Sequence, residues 1–537
     1  MSTAELIVQA DRVHTMDPHR PTAQAVAIKD GMIVGVGDRT SANAWRASTT
    51  EVVELGDATV TPGLVDGHIH PVLGLELARG VDLSHVRSVP QLITELRTRG
   101  TGPGDWVLGW GLDPNTFGTN AITHASLVEA LGDRPALVVL FDAHSAIASP
   151  AALRAAGING ARSFDGAAEI VCDAAGNPTG HLVELPAYEL VRGVVPAESI
   201  QERRARLYEL LTAMAATGLT AGNAMDFDGD AEDLITGLAD EVGLPLRLRF
   251  APMCMPGATA ADLEQLLEQQ RLGGRRWQVE GVKFMIDGTI DGGTAWLEEP
   301  DRFGESTAPF WPEPQAYTEA IRRLAAAGVP TATHAIGDAG VRYVLDALRD
   351  LPAHPTRVPH RIEHIETVPT ELIGRFRAQN VTASMQPTHC TLYTKADHSD
   401  NWSRRLGAER ANRGFRTRDL RAAGARLALG SDWPVAPFDA RAVLADAQLR
   451  RPHGQLDTPK VLPDQALTAL MALEGYTTHA AAAAGLEAVS GRIKEGFRAD
   501  LSAFGLDPLA APPDEFADSP VRLTVVDGAI THRSVAA

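Results

Sequence analysis

Cysteine is scarce: the chain has three, Cys172, Cys254 and Cys390, in 537 residues. An odd number spread this widely builds no disulfide framework and suits a reducing cytosol. Basic charge is also short. Lys and Arg total 49 against 68 Asp and Glu, a net charge of −19, and no basic stretch stands out. Nucleic acid and anionic membrane both recruit clustered Lys and Arg, so neither is an expected partner. No apolar run reaches the ~18 residues that cross a bilayer. The first residues, MSTAELIVQADRVHTMD, meet acidic side chains before any apolar run. No secretory signal is therefore expected, and the expected location is cytoplasmic. Internal repeats and low-complexity tracts are missing too, apart from AAAAG at 481–485.

What is present is the composition of a folded protein with a large core, 44% hydrophobic and 22% charged. ELIVQADRVHTM and TAQAVAIKDGMIVGVGD alternate in the strand manner, with KDG as a turn. EVVELGDATV adds a strand near residue 60. The texture returns in GRIKEGFRADLSAFG (491–505) and VRLTVVDGAIT (521–531). Both chain ends, 1–60 and 486–537, are expected to build one small β-sandwich domain. The middle, 61–485, alternates short apolar runs with amphipathic helical stretches such as 199–218 and 314–329. Eight strands are expected, at 63–70, 218–224, 246–252, 279–287, 330–335, 359–364, 381–386 and 425–432. The fold class is α/β, a (β/α)8 TIM-like barrel. The long connection after the first strand contains strands of its own (106–112 and 136–144) and a hairpin over 163–180. It reads as an insertion, about 103–198, that caps the barrel mouth.

The polar residues at the strand ends carry the chemistry. His68 and His70 form a His-x-His pair, and residues two apart on a strand point the same way. Lys283, His334, His364 and Asp432 end four other expected strands. Barrel enzymes gather catalytic groups at such ends. Any one of the seventeen histidines is by default structural, and an ammonium has no lone pair for a metal; the joint pattern is the argument. Imidazoles with a carboxylate suit zinc, with iron, manganese or nickel as alternatives. No cysteine joins the set, so the site is not a closed thiolate one.

The segments TPGLVDGHIHP (61–71), GVKFMIDGTIDGGTA (281–295), THAIGDAGV (333–341), HRIEHIE (360–366), SMQPTH (384–389), LALGSDWPV (427–435) and GRIKEGFRADLSAFGLDP (491–508) resemble those of metal-dependent amidohydrolases. The resemblance is to the group that includes N-substituted formamide deformylases, and it runs nearly the whole chain. It implies that His68, His70 and Asp432 bind one divalent metal, zinc being the expected ion, and that His334 and His364 bind a second. Lys283 matches the family lysine that carbon dioxide converts to a bridging carbamate. One or two ions per chain are compatible with it. Asp432 is then the proton shuttle, and His364 or His389 holds the carbonyl oxygen. Trp110, Asp113, His144, Asp287, Thr294, Gln386, His389 and Trp433 are candidate substrate contacts, and Glu184 matches a recurrent family acid without an assigned role. The loop DGGTA departs from the family's usual serine- and arginine-containing form. A homodimer is a family-level expectation.

The leading expectation is hydrolysis of a non-peptide carbon–nitrogen bond in a small linear amide, such as an N-substituted formamide. The same site would also serve an esterase, lactonase, cyclic-amide hydrolase or deaminase. An inactive scaffold is the remaining alternative, disfavoured because all six candidate ligands are retained.

Overall fold

The computed structural model describes residues 3–100, 102–164, 168–351 and 358–534; positions 165–167 of the expected hairpin lie outside them. Leu6–His14 pairs antiparallel with Thr22–Lys29, which pairs antiparallel with Met32–Gly37. Asp30 and Gly31 turn this second hairpin with positive φ, 50° and 73°, the twist that suits a two-residue connection. On its other side Leu6–His14 runs parallel to Thr59–Pro62, which pairs antiparallel with Leu501–Phe504. Val521–Val526 and Ala529–Arg533 continue the same sheet. The two ends of the sequence are thus hydrogen-bonded to each other. Alternation gathers Leu6, Val8, Val26, Ile28, Leu501, Ala503, Leu523 and Val525 into one buried cluster.

The strands expected in the middle occur, and they pair parallel in two runs. Leu64–Ile69 (β1), Leu219–Ala224 (β2) and Arg247–Phe250 (β3) form the first. Val282–Met285 (β4), Thr331–Ala335 (β5), Arg361–His364 (β6), Thr382–Met385 (β7) and Leu427–Leu429 (β8) form the second. The strand expected at 279–287 is divided. Trp277–Val279 pairs with β3, and the chain bends at Gly281 (φ 109°) before β4 begins. Backbone hydrogen bonds cross both gaps between the runs. Lys283 N donates to Pro252 O and Cys254 N to Lys283 O, each at 2.8 Å. Asp432 N donates to His68 O at 2.8 Å, and His70 N to Trp433 O at 2.9 Å.

Helices lie between the strands. Ile200–Ala216 starts with a reciprocal cap, in which Ser199 and Glu202 satisfy each other's backbone N–H. Pro314–Ala326 starts on proline, whose fixed φ suits a first turn. Leu207, Leu211, Tyr317 and Ile321 from these helices join Leu219, Leu248 and Phe284 from the strands in the largest core cluster. Near-continuous apolar strands are what parallel strands buried on both faces require. No described helix is long and apolar enough to cross a membrane.

The long connection after β1 builds a second layer, a six-stranded sheet. It begins at Val81–Asp82, ahead of the expected residue 103, because that short strand pairs parallel with Val107–Leu112. Ala136–Leu140, Ser145–Ala148, Pro178–Val183 and Glu169–Cys172 follow in spatial order. The last two form the expected hairpin. Its turn is held by the Asp173 carboxylate, which accepts from Ala175 N and Asn177 N.

β1 and β8 approach closely because Gly67 has no side chain. A Cβ there would lie 2.6 Å from Leu429 O, a backbone atom that cannot swing away. Gly67→Ala is expected to destabilise the fold by about 1–3 kcal/mol, the usual cost of overpacking. Denaturant unfolding checks this; an unchanged midpoint would mean that the β1–β8 seam is loose.

Candidate active site

Asp66, His68 and His70 share one face of the β1 segment by period-two alternation. Asp66 is spent on the backbone: its Oδ1 accepts from His68 N and Ser431 N, both at 3.0 Å. Burial pushes its carboxyl up to about 7. His68 and His70 point onward, with their Nε2 atoms 3.2 Å apart. Asp432 Oδ1 lies 3.3 Å from His68 Nε2 and 3.2 Å from His70 Nε2. Lys283 Nζ, from β4, is 3.2 Å from His68 Nε2. The His364 and His334 rings lie 4.5 Å apart, centroid to centroid, and the His68 and His364 rings 4.8 Å. All six expected ligands therefore converge, and His68, His364 and Asp432 present donor atoms within 4.8 Å of one another.

Two of the six depend on unusual backbone. Alternation along β6 would turn His364 away from the interior face that Arg361 and Glu363 occupy. Instead His364 and Ile365 take positive φ, 74° and 50°. Asp432 does the same at 61°. Such conformations cost on the order of 1–3 kcal/mol each in a non-glycine residue and persist where surroundings enforce them. Here Ile365 N donates to Ala335 O, and His364 Nδ1 sits 2.9 Å from Gln386 Oε1.

The electrostatics favour lone pairs. Burial, reinforced by Lys283, brings His68 down to about 4. Burial likewise holds His334 and His364 well below the usual imidazole range, so all three are neutral. Burial also lowers Lys283 to about 8, against the pull of Glu363 and Asp432. Burial opposes the charge of Asp432, but His68, His364 and His70 hold its carboxyl well below the ordinary carboxylate value. Among the described residues its Oδ1 has no hydrogen-bond partner, nor has His70 Nδ1. His68 Nδ1 is already engaged by Glu363 Oε2 at 2.6 Å, so its Nε2 offers a lone pair. A buried carboxylate oxygen and neutral imidazoles converging without enough donors fit a divalent cation.

These groups open into a cavity of about 810 Å³, including its mouth. His70, Lys283, His334, His364 and Asp432 line it, as do two of the candidate substrate contacts, His144 and His389. His144 Nδ1 pairs with Glu184 Oε2 at 2.8 Å. Burial works against a charge on this imidazole, but the Glu184 and Asp142 carboxylates raise it to about 9. His389 Nε2 is unpartnered and 3.6 Å from Asp432 Oδ2.

The other six candidate contacts sit elsewhere. Asp287 accepts from Trp296 N, Ile336 N and Gly337 N, which fixes the loop after β5 rather than a ligand. Asp113 caps a short 3-10 turn through Asn115 N. Thr294 donates to Glu184 Oε1 at 2.6 Å, and Gln386 orients His364. Trp110 and Trp433 line a separate cavity with Phe438, on the far side of the loop after β8. Sequence reasoning passed over Phe141, Asp142, Thr289, Asp291 and Glu366, which do line the cavity. It also passed over Arg361 and Glu363 beneath it. The period-two pair Arg361 and Glu363 in HRIEH was a readable sign of an inward-facing charge pair.

The amidohydrolase family model matches residues 51–532. The putative amidohydrolase YtcJ of Bacillus subtilis (strain 168) is 28% identical over 529 residues, covering 97% of this chain and 98% of the relative. The N-substituted formamide deformylase of Arthrobacter pascens is 25% identical over 552 residues, 98% of each. An uncharacterized metal-dependent hydrolase from Pyrococcus horikoshii OT3 superposes with a TM-score of 0.74 at 24% identity, covering 95% of this chain and 99% of that one. Such likeness at the level of structure gives the chain a TIM-barrel-like α/β fold. With the match across most of its length, the chain belongs to the amidohydrolase family and is a hydrolase.

Proposed function

We propose that this chain hydrolyses the carbon–nitrogen bond of a small linear amide, of the N-substituted formamide class, at a zinc site in the mouth of a closed eight-stranded barrel. In this reading residues 61–485 are the barrel, with the layer after β1 as an insertion over its mouth. Residues 1–60 and 486–537 form the small β-sandwich domain. The observation that carries the proposal is the bare Asp432 Oδ1 between His68 Nε2 and His70 Nε2. The deformylase match over 98% of both chains supports the substrate class. So does the cavity wall: Leu73, Leu77, Phe141, Leu185, Ile336 and Val435 offer apolar surface to an N-substituent.

His68, His70 and Asp432 would hold one ion, and His334 and His364 a second. Lys283 would join them as a carbamate, formed when its neutral amine adds to the carbon of carbon dioxide and releases a proton. A divalent ion there supplies an acidified water and polarises a carbonyl oxygen. Asp432 takes the proton of the attacking water and delivers it to the departing nitrogen. His389 Nε2 and His144, on different walls, hold the substrate's amide group. The layer carrying His144 and Phe141 shields the reacting carbon from bulk water.

Zinc-loaded protein is expected to hydrolyse N-butylformamide or formanilide faster than the matching formate esters; faster turnover of every ester would sink the amide reading. Asp432→Asn should keep its fold and lose about 10²–10⁴-fold in kcat, the range for a general acid–base group. Near-normal turnover would remove Asp432 from that role. His68→Ala should lose bound metal and melting temperature together, read by elemental analysis and thermal unfolding. Full metal content in that variant contradicts the ligand assignment.

A further inference from the structure

Directly under the converging ligands lies a charged pair that the proposed chemistry does not use. Arg361 and Glu363 both face the interior from β6, and both are buried, at 2% and 0% exposure. Arg361 Nε donates to Glu363 Oε1 at 2.8 Å, and Nη2 donates to Glu363 Oε2 at 3.0 Å. Nη2 also reaches Gly67 O at 2.6 Å and Ser384 Oγ at 2.9 Å. The guanidinium therefore ties β6 to β7 and, across the interior, to β1 beside His68. A carboxylate held by a fork of two N–H groups is ionised and can only accept. The 2.6 Å contact between Glu363 Oε2 and His68 Nδ1 must then carry its proton on the imidazole nitrogen.

That single proton decides what His68 can do. With N–H at Nδ1, the ring presents a lone pair at Nε2, toward Asp432 Oδ1 and His70 Nε2. The other tautomer would put a hydrogen there and leave Nδ1 facing a carboxylate, lone pair against lone pair. No other side chain among the described residues hydrogen-bonds His68 Nδ1. His364 has a different partner, Gln386 Oε1 at its Nδ1, and His70 Nδ1 has none. His68 is the one ligand of the set whose tautomer a buried anion enforces.

We propose that Glu363, itself fixed by Arg361, is a positioning residue for the metal centre: it locks His68 in the tautomer and ring orientation that offer Nε2 to the ion. This rests on the metal-site reading above but not on which bond is cut. A buried ion pair is by itself weak evidence for stability, so the role shows in metal affinity rather than in folding.

The test compares zinc affinity in wild type, Glu363→Leu and the double variant Arg361→Met/Glu363→Leu, neither of which leaves an acceptor at residue 363 for His68 Nδ1. Each is stripped with a chelator and titrated against a chromophoric competitor, with the melting temperature of each apo form measured alongside. Glu363→Leu leaves the Arg361 charge uncompensated; the double variant buries no net charge and carries the test if the single one fails to fold. Zinc affinity is expected to fall about 10–100-fold, the usual effect of removing a ligand's hydrogen-bond partner. The apo melting temperature of the double variant should stay within a few degrees of wild type. Zinc bound as tightly by the double variant as by wild type overturns the assignment and leaves the metal-site reading standing. An affinity loss matched by collapse of the apo melting temperature in both variants overturns it too, making the pair a packing element. A wild type that takes up no divalent ion overturns both readings together.

Discussion

Three potential metal donors are forced together beside the cavity. A carboxylate oxygen of Asp432 and the Nε2 atoms of His68 and His70 lie within 3.3 Å of one another. Brought together without a cation, such atoms repel or go unsatisfied, at about 1–3 kcal/mol for each unmet group. Much of the surrounding structure serves to hold them there. Gly67 lets β1 approach the backbone of β8. Positive φ at His364 turns inward a side chain that alternation would send elsewhere, and Asp432 also takes positive φ just beyond β8. Asp66 and Ser431 pin the two strand ends to each other through backbone N–H groups. A site so over-determined is preorganised for a cation, because the repulsion among its donors is already overcome by folding.

The layer after β1 meets this centre through buried carboxylates, Asp142 accepting from Thr289 at 3.4 Å and Glu184 making the tighter tie. Glu184, at positive φ of 64° and 1% exposure, accepts from Thr294 in the loop after β4 and pairs with His144 in the layer. One buried acid therefore couples the layer's position to the loop that follows Lys283. Tyr188 adds a second tie inside the layer by donating to Ala143 O at 2.7 Å. The cavity wall that carries His144 and the loop after β4 are held in mutual register. A shift of one without the other would break a 2.6 Å hydrogen bond in a dry interior, where the loss is not made good by water.

The strands and their terminal ligands were legible for a physical reason. A polar residue at or just beyond the end of a buried strand is conspicuous, and His68, His334, His364 and Asp432 announce themselves this way, whereas Lys283 is the second residue of β4. Boundaries were less legible. The strand expected across 279–287 breaks at Gly281, and the inserted sheet starts at Val81 because a two-residue strand leaves no periodic signal. The wall of the cavity was the least legible part. Asp287 and Asp113 look like ligand contacts in the sequence but accept from backbone N–H groups, and Thr294 donates to Glu184. Trp110 and Trp433 face a different cavity. Loop residues carry no period, so their direction follows only from tertiary packing.

That contrast has a chemical basis. The groups proposed to carry the hydrolysis sit on or just beyond strands, where a rigid scaffold can hold atoms to a few tenths of an ångström, as activated-water chemistry needs. Much of the substrate wall comes from the inserted layer and the loops, Phe141, Asp142, His144 and Leu185 among them. Exchanging a side chain in that wall alters shape and charge without disturbing His68, His70 or Asp432. The ligand set can thus be shared across a family while the acceptable leaving group differs. Asp142, Asp291 and Glu366 line the same cavity as the apolar wall. The cavity therefore presents both carboxyl groups and apolar side chains.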